Sequence, residues 1–327
     1  MNRKLFSKIV FVTMLAIVVN IFVYFAFGNV YSSILFNKEV FLEQYTNGVY
    51  QYRFLSIQLL LWTYDVISAL PFKIPLKMYF WDAKADPNFF LAYAALNTIF
   101  LVLFAIVMVL ILESKKIIAS ETEKILLVAV AVFSIGITQF VIVPYDCSSY
   151  FFLLLFIGIF LRYLDNGRTS LLILLLAILV VSTINRETSA LSISFAAVLL
   201  FQKFGIKKES VLPVFFMGIS FVIVYILMRV LRHSFSTNDG STLVYNFTQI
   251  RNWIGILFWI IFFWFSMILA KDDRAKKSIL LFHVFALPYI IMCFYTGALY
   301  EIRLYIPLFL SSLILGRLKI EKINNLT

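Results

Sequence analysis

The sequence predicts an all-α, polytopic membrane protein, because its composition is strongly apolar and long apolar runs recur along it. Of its 327 residues, 62% are hydrophobic and only 14% are charged, and the mean hydropathy is +0.96. A soluble domain needs a more polar exterior than this chain can supply. A helix needs roughly 20 residues to cross the hydrocarbon layer, and ten apolar runs approach that length. They cover residues 9–27, 88–112, 125–144, 147–161, 169–184, 188–202, 211–230, 252–270, 278–297 and 304–316.

The basic residues predict the orientation of a single integral membrane domain, residues 1–327. If the N-terminus is cytoplasmic, alternate segments between the runs hold 18 of the 28 basic residues. Lys and Arg are enriched in cytoplasmic loops, so we expect this orientation in an inner (plasma) membrane, with both termini cytoplasmic. The loops then account for the net charge of +11, and nucleic acid is not expected as a partner. The 18 basic residues assigned to the cytoplasmic side are Arg3, Lys4, Lys8, Lys115, Lys116, Lys124, Arg162, Arg168, Lys203, Lys207, Lys208, Lys271, Arg274, Lys276, Lys277, Arg317, Lys319 and Lys322.

One further run, residues 54–70, is apolar enough to cross but would invert the orientation of every later loop. It carries Gln58 and Asp65 inside the apolar stretch. We therefore expect an interfacial or re-entrant helix within a long first extracytoplasmic loop, about residues 28–87. A second extracytoplasmic segment, about residues 231–251, is polar.

Three short charged clusters lie where an apolar span should still be running. They are Asp146, the pair Arg186-Glu187, and Glu301 with Arg303. Counting one span from the nearest cytoplasmic basic cluster places all of them inside the membrane near its outer surface, where ionisable groups are costly and usually functional. Two interpretations stay open. The arginines neutralise nearby carboxylates as structural ion pairs, or the charged groups line a cavity that opens to the outer surface.

The residue types in these clusters favour a phosphate-bearing ligand, since arginine binds phosphate through two parallel hydrogen bonds. A carboxylate can act as general base toward a hydroxyl or can hold a divalent cation, so the cofactor is left open. The two cysteines and two histidines have no metal-ligand spacing, and no dedicated metal site is expected. Tyr50, Tyr52, Tyr145 and Tyr300 flank the charges, where an aromatic belt or sugar stacking would explain them.

Four short motifs surround these residues. They are Glu43-Gln44-Tyr45 followed by Tyr50-Gln51-Tyr52-Arg53-Phe54-Leu55, Tyr145-Asp146 before a Phe/Leu-rich run, Asn185-Arg186-Glu187-Thr188, and Glu301-Ile302-Arg303-Leu304-Tyr305-Ile306-Pro307. With the inside N-terminus and the long first outer loop, they resemble the GT-C superfamily of polytopic glycosyltransferases. Those enzymes use polyprenyl-phosphate-linked sugars. The resemblance implies such a donor, a glycan or lipid acceptor, and contacts with membrane lipids.

The resemblance also implies roles for individual residues. The acidic residue that such enzymes carry just after the first span is absent here, and Glu39 or Glu43 takes its place. We expect Glu43 to be the general base of an inverting transfer, because it immediately precedes the Tyr-rich run that contains Arg53. Asp146 is expected as a second catalytic acid. The expected substrate-binding residues are Tyr52, Arg53, Tyr145, Arg186, Glu187, Glu301 and Arg303, with the two later arginines on the carrier phosphate.

Two other functions remain open from the sequence. A polymerase or ligase of surface polysaccharide would share the lipid phosphate and the outer site, although its usual arginine-to-glycine spacing does not follow Arg186 or Arg303. A secondary transporter predicts two related halves, broken helices and polar groups at the midplane. This chain has instead one long first loop, only 11 glycines and 7 prolines, and charges near one surface.

Overall fold

The computed structural model describes residues 3–48, 50–71, 79–232 and 241–319, and within them every regular element is helical. Short 3-10 turns cover Ser33–Phe36, Glu187–Ser189 and Ile302–Leu304, and a π-helical segment, Tyr24–Gly28, extends the first helix. The α-helices in these ranges are α1 (Arg3–Val23), α2 (Asn29–Ser32), α3 (Lys38–Asn47), α4 (Phe54–Ser68), α5 (Pro87–Leu112), α6 (Glu121–Thr138), α7 (Asp146–Asn166), α8 (Thr169–Asn185), α9 (Ala190–Phe204), α10 (Lys208–Leu231), α11 (Leu243–Thr248), α12 (Ile250–Leu269), α13 (Asp273–Phe285), α14 (Leu287–Thr296) and α15 (Ile306–Leu315).

The expected all-α class is confirmed for these ranges, and the long apolar helices indicate a membrane-embedded protein. By length and composition, five helices could cross a membrane: α1 with its π-helical extension, α5, α7, α10 and α12. The pair α13 and α14, bent by 51°, would make a sixth. Each of the ten predicted runs overlaps a helix, with the run at 278–297 divided between α13 and α14. The number ten itself stays a prediction.

Local sequence signals explain several helix boundaries. Asp86 caps α5, since its side chain accepts a hydrogen bond from the Asn88 amide at 2.8 Å, and Pro87 occupies the first turn. Ser120 and Glu123 form a reciprocal capping box at the start of α6. Gly167 ends α7 in the left-handed conformation, with φ 61°. These boundaries position the loops that meet at either end of the bundle.

The core of the bundle is built around α7, which packs against α5, α8 and α9, while α1 packs against α5 and α6. α4 lies across α5 and α8, burying Ser56, Ile57 and Leu60 while Phe54 and Trp62 are exposed. The helix expected at 54–70 is therefore present, and its interfacial position stays a prediction. Parts of the two predicted outer loops, residues 49, 72–78 and 233–240, lie outside the described residues.

Several loops predicted to share one side of the membrane do meet at one end of the bundle, which we call the basic end. Lys8 of α1 contacts Glu113 at the end of α5, and Lys124 of α6 contacts the same carboxylate at 3.2 Å. Lys116 pairs with Asp165, at the end of α7, at 2.6 Å. Helices that begin or end at these loops therefore have their other termini at the opposite end, where the predicted site residues lie.

Candidate functional site

A cavity of about 790 Å³ lies at the end of the bundle opposite the basic end. Helix termini converge there: the starts of α4 and α7, the end of α8, and the 3-10 turns that precede α9 and α15. Six of the nine predicted catalytic and substrate-binding residues line it, namely Arg53, Tyr145, Arg186, Glu187, Glu301 and Arg303. Side chains at helix ends can reach into the cavity, whereas side chains in the middle of a packed helix are enclosed by neighbouring helices.

Asp146 holds two of the arginines in place from below. It is the first residue of α7 and is completely buried. Its Oδ1 accepts a hydrogen bond from Nη1 of Arg186, and its Oδ2 accepts one from Nη1 of Arg303 at 3.2 Å. A carboxylate at a helix N-terminus is also stabilised by the helix dipole. Asp146 does not line the cavity, so its contacts orient the guanidinium groups.

Glu301 completes the hydrogen bonding of Arg303. Its Oε2 accepts from Nε at 2.9 Å and from Nη2 at 2.6 Å, so all three guanidinium nitrogens of Arg303 contact carboxylates. The hydroxyl of Tyr31 donates to the other Glu301 oxygen at 3.1 Å and also contacts the hydroxyl of Tyr300. Glu301 therefore has both carboxylate oxygens engaged.

Glu187 has looser contacts with two further arginines, Arg53 at 3.6 Å and Arg229 at 3.9 Å. Both distances exceed an ordinary hydrogen bond. Burial would raise the pKa of the Glu187 carboxyl, but the charge of Arg53, a hydrogen bond from the residue's own backbone amide and the charge of Arg229 together outweigh it and lower that pKa. Glu187 is therefore ionised at neutral pH and accepts no hydrogen bond from either arginine.

Aromatic rings separate and support the arginines. The Tyr145 ring lies 4.1 Å from the guanidinium carbon of Arg53 and 5.1 Å from that of Arg186. Arg229 packs 4.3 Å from the ring of Tyr52 and 3.4 Å from that of Tyr225. Cation–π contacts of this kind are attractive and stiffen the long side chains. Tyr52 and Tyr145 therefore support arginines, and only Tyr145 also lines the cavity.

A buried polar network joins three helices under the cavity. Ser148 of α7 donates to Oδ1 of Asn185, at the end of α8, at 3.0 Å. Ser56 of α4 contacts Ser148 at 2.8 Å, and the Asn185 amide donates to the Tyr145 carbonyl at 3.4 Å. Buried polar groups that are mutually satisfied fix one arrangement of their helices. This network sets the position of Arg186, the residue after Asn185.

The structure places Glu43 differently from the other predicted residues. On α3 the Phe41 side chain is buried in the core, and Glu39 and Glu43 lie on the exposed face. Glu43 does not line the cavity, and its catalytic role stays a prediction. Tyr31 and Arg229 were not among the residues predicted for the site. Arg229 belongs to the last turn of α10.

The cavity wall carries an excess of positive charge. Three arginines of the wall, Arg53, Arg186 and Arg303, face two carboxylates, those of Glu187 and Glu301. Behind the wall, Asp146 adds one negative charge and Arg229 one positive charge, so the excess of positive charge is unchanged. The described ranges contain no group of three or more His, Cys, Asp or Glu residues that could hold a metal ion.

No protein-family model, curated protein or solved structure matches this chain. Functional conclusions therefore depend on the geometry of the site. Its most direct reading is an anion-binding cavity, because guanidinium groups fixed by a buried carboxylate present donors to a phosphate without reorganisation.

Proposed function

We propose that the protein is a membrane glycosyltransferase of the GT-C kind, which transfers a sugar from a polyprenyl-phosphate carrier to a glycan or lipid acceptor. The observation that carries the proposal is the cavity at helix ends in which buried Asp146 fixes Arg186 and Arg303. A structural ion pair alone would need no cavity. Here the fixed arginines line about 790 Å³ of space, which is enough for a sugar phosphate.

In the proposed topology ten spans cross an inner (plasma) membrane, with the basic end in the cytoplasm and the cavity at the extracytoplasmic face. The short loops at the basic end support this orientation through their lysines and arginines. The cavity also has apolar side chains at an exposed rim, with Ile34 and Met292 57% and 43% exposed. Such a rim suits the first isoprene units of a carrier that enters from the membrane.

In the proposed reaction the acceptor oxygen attacks the anomeric carbon in line and inverts it. The new C–O bond forms as the bond from the anomeric carbon to the phosphate oxygen breaks, and that electron pair leaves with the polyprenyl phosphate. The phosphate thereby gains one negative charge. Arg186 and Arg53 are placed to stabilise it. Arg53 Nε has no hydrogen-bond partner among the described residues, whereas Arg303 is held by Glu301 and Asp146.

We assign the general base to Glu187 in this mechanism. It lines the cavity, is ionised, and is not hydrogen-bonded by its neighbouring arginines, so its oxygens can accept the proton of the acceptor hydroxyl. Glu301 already has both oxygens engaged. The sequence favoured Glu43 instead, which would have to act from the exposed face of α3.

Substitution separates the two assignments. Glu→Gln keeps the shape and removes the base, so Glu187→Gln should retain donor binding while turnover falls by about 10²–10⁴. Glu43→Gln is the matched variant outside the cavity. A larger loss of turnover in Glu43→Gln than in Glu187→Gln would reject Glu187 and return the role to Glu43.

The function itself is tested with purified protein in lipid nanodiscs and a panel of polyprenyl-phosphate hexoses and pentoses. Release of polyprenyl phosphate with transfer of the sugar is the expected result. Arg186→Ala should lower turnover about 10²–10³-fold, as loss of one transition-state donor does. Arg162→Ala, an exposed residue of α7 at the basic end, is the control. Addition of whole repeating units would identify a polymerase, and accumulation of solute across the bilayer without bond cleavage would identify a transporter.

A genetic experiment supports the biochemical one. Deletion of the gene should cause a lipid-linked saccharide to accumulate, because its consumer is lost. Unchanged lipid-linked saccharides and surface glycans in the deletion strain, together with no turnover on the donor panel, would reject the proposed function.

A further inference from the structure

A second large pocket lies on the outside of the bundle, towards the basic end. It is a groove of about 880 Å³ with α9 as its floor and α10 and α13 as its walls. Its apolar lining includes Val198 and Phe201 from α9, Val211 from α10, and Leu281 and Phe285 from α13. α10 and α13 each pack on α9. The groove therefore runs between these two helices and is open on one side.

Two cations stand at the end of this groove that is nearer the basic end. Arg274 and Lys277 line it and are one helical turn apart in the first half of α13, where both are exposed. The nearest acid in the lining, Asp273, is paired with Lys276 at 3.0 Å. Because Lys276 offsets the charge of Asp273, the groove has a positively charged end, and the rest of its lining is mainly apolar. An anionic lipid has the matching arrangement, with a negatively charged headgroup followed by apolar chains.

A polar side chain lies between the apolar and the charged parts. Gln202 lines the groove, and one end of its amide contacts the Ser278 hydroxyl at 3.0 Å. The other end of that amide has no hydrogen-bond partner in the part of the chain that the structure describes. Buried polar groups are normally satisfied. Glycerol and ester oxygens of a phospholipid lie at this level, between phosphate and chains.

The groove is separate from the arginine cavity. Thr188, before α9, lines the cavity, whereas Gln202, near the end of α9, lines the groove. At 1.5 Å rise per residue the two positions are roughly 20 Å apart along the helix. A ligand of the groove therefore lies in the membrane leaflet at the basic end and does not reach the cavity.

We propose that this groove is a specific site for an anionic phospholipid of the leaflet at the basic end. The acyl chains lie along Val198, Phe201, Val211 and Phe285, and the phosphate lies between Arg274 and Lys277. Basic pockets between membrane helices bind anionic headgroups. A zwitterionic lipid brings its own cation to the same two residues, so the groove selects a lipid with net negative charge. The proposal of this lipid site does not depend on whether the protein is a glycosyltransferase.

The selectivity is measured by native mass spectrometry and thermal unfolding of the full chain in dodecyl maltoside. Dioleoyl-phosphatidylglycerol and dioleoyl-phosphatidylcholine are titrated separately. Each cation near a membrane surface contributes about 5-fold in affinity for an anionic lipid, so the pair contributes about 30-fold. We expect wild-type protein to retain the anionic lipid preferentially. In Arg274→Gln/Lys277→Gln that preference should fall about 30-fold.

Two controls make the result specific. Arg162→Gln removes an exposed charge of α7 at the basic end that does not line the groove, and it should keep the preference. Val211→Trp fills the groove from the exposed face of α10 and should lower retention of both lipids. Ile223→Trp, exposed on α10 outside the groove, should not.

Three results would overturn the proposal. The first is equal retention of both lipids by wild-type protein. The second is a double variant that behaves like Arg162→Gln. The third is a thermal shift with glycerol 1-phosphate or inorganic phosphate as large as with the anionic lipid, which would mean a soluble-phosphate site. Each leaves the donor-transfer assay unaffected, so failure here is distinguishable from failure of the proposed function.

Discussion

Replacement of Asp146 by Asn should destabilise the fold severely while changing almost no atoms. The carboxylate is completely buried and contacts Arg186, itself 4% exposed, and Arg303. Asn keeps the shape but removes the only negative charge that Arg186 contacts directly in the described residues. Two guanidiniums are then left close together with Glu301 as the remaining carboxylate partner. Removing one partner of a buried ion pair costs about 3–5 kcal/mol of the free energy of unfolding.

The expected loss in the free energy of unfolding comes from the charge that is left without a partner. A double-mutant cycle can isolate this contribution. Arg186→Met removes the opposite charge, and Asp146→Asn/Arg186→Met removes both. If the cost of each single variant is mainly a stranded charge, the double variant should be less destabilised than the sum of the singles. We expect an interaction free energy within the ~0.5–3 kcal/mol found for residues in one network.

The assay is reversible unfolding in mixed micelles of dodecyl maltoside and sodium dodecyl sulfate. Asp165→Asn is the matched control on the same helix, because Asp165 pairs with Lys116 at 2.6 Å but its side chain is 57% exposed. An exposed pair contributes about 0–1 kcal/mol. A free energy of unfolding for Asp146→Asn within about 1 kcal/mol of the control would refute the reasoning. Additive costs in the cycle would do the same.

Three further predictions concern other parts of the molecule. Arg303→Lys should lower the free energy of unfolding more than Arg53→Lys does, because lysine cannot satisfy both carboxylates that Arg303 joins; equal losses in micellar unfolding would contradict this. The lowered pKa of Glu187 means that its stabilisation is full above the pKa of an unfolded glutamate and is lost as pH falls through the lowered value. Wild-type protein and Glu187→Gln should therefore converge in stability only as the pH falls below that lowered pKa, and a constant difference would exclude the effect. Single cysteines at exposed Thr46 and Ser120 should react on opposite sides of the membrane in intact cells, since the native cysteines are buried; outside labelling of both would mean that residues 54–70 cross the membrane.

Much of the fold could be predicted because apolar run length alone determines where helices form in such a chain. The structure adds detail that the runs do not give where a local irregularity interrupts a helix. The run at 278–297 divides at Ala286 into two helices bent by 51°. The sequence carried a signal for this break in Pro288, which lacks an amide donor and begins α14. No comparable signal marks the π-helical segment that extends α1.

The site residues could be recognised, but their partners could not. Charged residues in an apolar sequence are conspicuous, and this is enough to find Asp146, Arg186 and Arg303. The two contacts of Asp146 span 40 and 157 residues of sequence, a separation that no motif encodes. Arg229 was missed as a site residue for the same reason, since its contact with Glu187 depends on how α10 packs against α8 and α9.

The distribution of hydrogen bonds divides the arginines into two kinds with different expected roles. Arg303 donates through Nε, Nη1 and Nη2 to two carboxylates, so a substrate phosphate would compete with contacts that stabilise the fold. Arg53 contacts Glu187 only at 3.6 Å and has an Nε without a hydrogen-bond partner among the described residues. A ligand phosphate adds hydrogen bonds to Arg53 without breaking any, and such a gain appears directly in affinity. Arg53 is therefore the residue at which donor binding and protein stability should be most separable, whereas at Arg303 the two should fall together.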